Sequence, residues 1–61
     1  MSSFKIIDKT LGHDVNEEEA YDHDLYGECD APVWYGPRTE AEEIVSALKE
    51  CTGHDFVIRR H

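Results

Sequence analysis

The stretch from Thr39 to Gly53, TEAEEIVSALKECTG, limits the possible folds more than any other part of the chain, because it carries a complete helix signature. Thr39 is a good N-cap: its hydroxyl can accept a hydrogen bond from a backbone N–H left unpaired in the first turn. Glu42 lies three residues on and completes a capping box. Pro37 precedes the cap and discourages an earlier start. Ala41, Ile44, Val45, Leu48 and Cys51 recur at helical spacing and form one apolar stripe. Glu40, Glu42 and Glu43 fall in the first turn and Lys49 in the last, each at the end where the helix dipole favours its charge. Gly53 can take the left-handed conformation that ends a helix. So narrow a stripe has to be buried, and a small sheet is its natural cover.

Three segments read as strands. Ser2 to Thr10 alternates, with Phe4, Ile6 and Asp8 on one side and Lys5, Ile7 and Lys9 on the other. The adjacent isoleucines give both faces some apolar surface, which suits a central strand. Ala31 to Tyr35 reads as a second strand, with Pro32 at its start or edge. His54 to Arg60 reads as a third, with Phe56 and Ile58 facing the helix and Val57 facing away. The strand–helix–strand unit should cross over right-handed, leaving its two strands parallel. The first strand then fits between them, antiparallel to both. The expectation is one small α+β domain spanning residues 1–61: a three-stranded mixed sheet in the order 2-1-3 with the main helix on one face. The expected core is Phe4, Ile6, Leu11, Ile44, Val45, Leu48, Phe56 and Ile58. The open face would carry Ile7, Val57 and one register of Val33-Trp34-Tyr35. Such a patch marks an interaction surface unless another part of the chain covers it.

Gly12 to Asp30 differs in kind. It holds eight acids, Asp14, Glu17, Glu18, Glu19, Asp22, Asp24, Glu28 and Asp30, and no lysine or arginine occurs between Lys9 and Arg38. Two structures compete for it. In one, Asn16 caps a short helix, Glu19 completes the box, Val15 packs on Ala20, Tyr21 and Leu25 share a face, and Gly27 ends the helix. In the other it is an irregular loop, because three adjacent glutamates repel one another. The local signals favour the short helix.

Composition excludes several roles. Fourteen acids against six bases give a net charge of −8, which argues against direct nucleic-acid binding, since phosphates are met by Lys and Arg. No apolar run is long enough to span a membrane and no signal-peptide pattern is visible, so the expected compartment is cytoplasmic. Two cysteines make no disulfide framework; Cys29 and Cys51 are expected as free thiols, with Cys51 buried on the stripe. A domain of this size buries only about 60% of its unfolded surface, so added burial against a partner or a second copy has value.

Specific chemistry is weakly signalled. Cys51-x-x-His54 has zinc-ligand spacing, and His23 with Cys29 could complete a tetrahedral set, but the His23 to Cys29 interval is loose. Asp22 to Val33 begins like a calcium loop and then places Tyr26 and Val33 where oxygen ligands belong. No serine has a nucleophile context, and a chain this small leaves little room for a substrate pocket. No enzyme activity, metal or cofactor is therefore expected. The leading reading is an acidic protein–protein interaction module that engages a basic surface, such as that of a nucleic-acid-handling factor, as an inhibitor or modulator acting by charge mimicry. Its contact residues would be Glu17, Glu18, Glu19, Tyr21, Asp22, Asp24, Tyr26 and Trp34. The alternatives are a small zinc-binding protein and an assembly subunit that dimerises through its open sheet face.

Overall fold

The computed structural model describes residues 3–61; Ser2, the first residue of the expected first strand, lies outside them. The elements in order are β1 (Phe4–Asp8), β2 (His13–Asp14), a short helix α1 (Glu17–Tyr21), a single 3-10 turn (His23–Leu25), the main helix α2 (Arg38–Thr52) and β3 (Phe56–Arg60). The three strands form a sheet in the order β2-β1-β3, and both pairings are antiparallel. This is the small α+β fold expected, with β1 in the centre.

The occupant of the second strand position differs. β2 is the hairpin partner of β1, reached through a turn in which the Gly12 N–H donates to Asp8 O at 2.7 Å. Ala31–Tyr35 is not a regular strand, and only isolated bridges, Asn16 to Val33 and Phe4 to Gly36, tie the 33–36 stretch in. The reason is local. A hairpin closes over few residues and fills the β1 edge near Asp8, leaving only the Phe4 end for the later segment. Trp34 N donates to Val15 O at 3.0 Å, and Phe4 and Gly36 exchange a pair of backbone bonds at 2.8 and 3.1 Å.

α2 packs its stripe on β1 and β3. Ile6, Val15, Ala20, Trp34, Ala41, Ile44 and Leu48 are the buried core, with Tyr26, Val45, Phe56 and Ile58 packed against it. Four expectations are corrected. α2 begins at Arg38 behind Pro37, which forms no side-chain cap, so the Thr39–Glu42 box is not made. Pro37 has φ −70° and ψ 154°, and its carbonyl accepts from Ala41 N at 3.0 Å, so the turn closes one residue behind Arg38. Cys51 is exposed rather than buried. At 3.6 residues per turn the line through Ala41, Ile44 and Leu48 runs on toward Thr52, so Cys51 rotates to the flank. Leu11 is exposed in the hairpin turn and Phe4 is only half-buried, so neither joins the core. Finally, Trp34 is not on the open face: it is 3% exposed, inside the core. Gly36 makes room for it, since a Cβ there would lie 2.6 Å from Trp34 Cζ2. Gly53, at φ 74°, ends α2 as its sequence position implied.

Candidate interaction surface

The acidic segment resolves into short pieces held from beneath. Asn16 is the N-cap of α1, and both halves of its capping box with Glu19 are formed. Glu19 N donates to Asn16 Oδ1 at 2.7 Å and Asn16 N donates to Glu19 Oε1 at 3.1 Å. Val15 and Ala20 are both buried, as a staple requires. α1 stops at Tyr21, so Tyr21 and Leu25 do not share a helical face. Asp22 takes extended backbone, and its carboxylate accepts from Asp24 N at 3.2 Å to open the 3-10 turn.

Two buried carboxylates hold this segment to the sheet. Glu19 is 2% exposed. Besides Asn16 N it accepts from Gly27 N at 2.8 Å, and His13 Nε2 lies 3.3 and 3.2 Å from its two oxygens. Asp8 is fully buried. Its Oδ1 accepts from Thr10 N at 2.8 Å and Leu11 N at 2.9 Å; its Oδ2 accepts from Tyr26 Oη at 2.5 Å and lies 2.8 Å from His54 Nδ1. An ionised carboxylate only accepts, so His54 Nδ1 carries hydrogen. Burial alone would raise the Asp8 pKa, but the hydrogen bonds from Tyr26, Leu11 N–H and His54 outweigh it and hold the carboxyl below its ordinary value. Burial, then the bond to Asp8, pushes the Tyr26 phenol far up, so it remains a neutral donor.

Tyr26 joins the two groups. Its ring lies 5.8 Å from that of His13 and 5.9 Å from that of His54, with Phe56 at 6.2 Å. Further ties complete the mooring. Asn16 Nδ2 donates to Cys29 O at 3.0 Å and Glu17 N to Pro32 O at 2.9 Å. Tyr21 Oη accepts from Trp34 Nε1 at 2.7 Å and donates to Glu40 at 2.6 Å in the first turn of α2. That bond to Glu40 pushes the Tyr21 phenol up. His23 Nδ1 lies 3.0 Å from Cys51 Sγ in the last turn.

The expected contact residues therefore divide. Glu17, Glu18, Asp22 and Asp24 are exposed, and Glu28 and Asp30 join them. Tyr21 is 62% exposed, with its hydroxyl engaged. Glu19 and Trp34 are interior and Tyr26 is half-buried, so these three hold the surface from within rather than form it. Asp14 is half-buried, 3.6 Å from Lys5. The sequence does not mark Asp8 or His13 as site residues, and marks His54 only as a zinc candidate. For Asp8 a signal existed: it shares the inward register of β1 with Phe4 and Ile6, where an acid must find donors.

Of the zinc candidates, only Cys51 and His23 meet; His54 is turned to Asp8. Among the described residues no set of three or more His, Cys, Asp or Glu side chains is placed to hold a metal ion, and no pocket opens. Both cysteines are free thiols. Burial, and after it the acids around Cys29, push that thiol's pKa up. Among the described residues no helix is long and apolar enough to cross a membrane. The chain matches no protein-family model, no curated protein and no solved structure.

Proposed function

We propose that this protein is an acidic interaction module that presents carboxylates in a fixed arrangement to a basic protein surface, the surface of a nucleic-acid-binding factor being the best fit by charge. One observation carries the reading. Within the acidic segment Glu19 turns inward and is saturated with hydrogen bonds, while Glu17, Glu18, Asp22, Asp24, Glu28 and Asp30 face solvent. A tail that served only solubility would need no such mooring. Duplex DNA presents one charge per about 1.7 Å of axis. A moored run of carboxylates offers a basic groove a similar field without the cost of ordering a flexible chain.

The test uses a fluorescent arginine-rich peptide bound to duplex DNA, with this protein as the competitor. In the variant, Glu17 and Glu18 become Gln, and Asp22 and Asp24 become Asn. Exposed ion pairs contribute roughly 0.2–1 kcal/mol each, so losing four charges should weaken competition by about tenfold or more and flatten its salt dependence. The fold should survive, since the amide oxygen introduced by Asp22→Asn would still cap the backbone N–H of position 24. Unchanged competition at low salt would reduce the segment to a solvated face.

A further inference from the structure

The sheet edge opposite β2 carries a second, independent feature. Among the described residues β3 is paired on one side only, with β1. Lys9 N donates to Asp55 O and His61 N to Ser3 O, both at 2.8 Å, so the odd-numbered residues of β3 turn their peptide groups toward β1. Alternation then points the N–H and C=O groups of Phe56, Ile58 and Arg60 outward. Among the described residues they have no backbone partner there. An edge of this kind is a template for another strand unless something blunts it.

Charges on an edge usually blunt it, and β3 ends in Arg59 and Arg60. Arg59, however, sits in an unresolved conflict. Its direct cross-strand partner is Lys5, a like charge. Lys5 has Asp14 at 3.6 Å, whereas among the described residues no carboxylate pairs with Arg59. Asp55 lies two residues before Val57 and Arg59 two after, and all three share the face turned away from α2, because Phe56 and Ile58 pack on the core.

We infer that β3 pairs antiparallel with β3 of a second copy of this chain, about a two-fold axis at Val57. In that register Val57 faces Val57, and Asp55 of each copy faces Arg59 of the other. Phe56 and Ile58 exchange N–H···O bonds with Ile58 and Phe56 across the axis. The outward peptide groups are the ones this register uses, and Val57 and the Asp55–Arg59 pairs occupy the non-hydrogen-bonded positions, where side chains approach most closely. Shifting the axis to Phe56 or Ile58 leaves Arg59 without an acid. A two-fold contact must be self-complementary, and this one is. The acids of the 12–30 segment are not among the residues this register pairs. The inference does not rest on their proposed role.

Sedimentation equilibrium of the intact protein, over concentrations up to the order of 1 mM, tests it by charge exchange. Asp55→Arg and Arg59→Asp are both at exposed positions, so either variant should fold. Each alone sets like charges against each other at two symmetry-related places and should weaken dimerisation by roughly tenfold or more. The double variant D55R/R59D restores opposite charges and should recover the wild-type constant. A strictly monomeric wild type, single variants that dimerise as well as wild type, or a double variant that remains as weak as the singles would each overturn the inference.

Discussion

Replacement of Asp8 by alanine should leave the protein largely unfolded at 25 °C. The carboxylate is fully buried and meets two turn N–H groups, a phenol and an imidazole. Removing it strands donors from three parts of the chain: the β1–β2 turn, the acidic segment and the entry to β3. Breaking a buried charged network in this way costs about 3–5 kcal/mol. A domain of this size has roughly that much stability in all. Asp8→Asn is the informative companion. Its amide oxygen can serve Thr10 N and Leu11 N, while its NH2 group faces Tyr26 Oη and His54 Nδ1, both of which can switch to accepting. The Asn variant should fold, about 1–2 kcal/mol less stable than wild type at neutral pH.

The same pair of proteins should differ in acid. The Asp8 carboxyl is depressed in the folded state from its ordinary 3.8. A depressed carboxylate contributes stability that is fully present above its unfolded pKa and lost as the pH falls through the folded one. The carboxylate's advantage over Asp8→Asn should therefore be present at pH 5, about one unit over the unfolded pKa, and shrink below about pH 4. Acidification also relieves the self-repulsion of a chain at −8, which acts in the opposite direction. That relief is nearly common to both proteins and cancels in the difference. Urea unfolding of both at several pH values checks this. A constant difference down to pH 2 would mean that Asp8 is not held as an anion by its neighbours.

Glu19→Ala should lower the melting temperature by about 10–20 °C, from a loss of about 3 kcal/mol in a domain of this length. The loss falls on particular atoms. Asn16 N and Gly27 N lose their acceptor and His13 loses its partner. Glu19→Gln retains one oxygen for two backbone donors and should cost about 1–3 kcal/mol. Hydrogen exchange should show where the damage lies. Gly27 N and the first turn of α1 should lose protection by a larger factor than β1 and β3, because the acidic segment is fastened at Glu19 while the sheet is not. Equal loss everywhere would mean that the segment and the sheet open as one unit.

Local rules made much of this fold readable. The α2 stripe, the Gly53 stop and the Asn16–Glu19 box each depend on residues within a few positions of one another. The alternation of Phe56, Val57 and Ile58 likewise needs only neighbours. What was not readable depends on distant partners. Alternation separates Trp34 from its neighbours but does not say which side is inside; that was decided by Val15 O and the space over Gly36. Asp8 meets Tyr26 and His54, which are far from it in sequence, so nothing nearby could announce them. Glu19 looked like one of three equivalent surface glutamates. The capping box that it completes is what turns it inward, and the same box that gave α1 its start removes Glu19 from the exposed acidic surface. The Thr39 pattern resembled a cap just as strongly, but Pro37 supplied the first carbonyl and the helix began without it.

Comparison with an unmoored segment separates moored presentation from acidity alone. A synthetic peptide covering 14–30 holds all eight acids of that stretch but lacks Asp8, His13, His54, Trp34 and α2. Both the peptide and the intact protein would compete at low salt with duplex DNA for the fluorescent arginine-rich peptide. The intact protein should compete at about one-tenth of the concentration the 14–30 peptide needs, or less, because it has no chain to order on binding. Equal potency of the two, or a stronger 14–30 peptide, would mean that mooring adds nothing to the acidity of the segment.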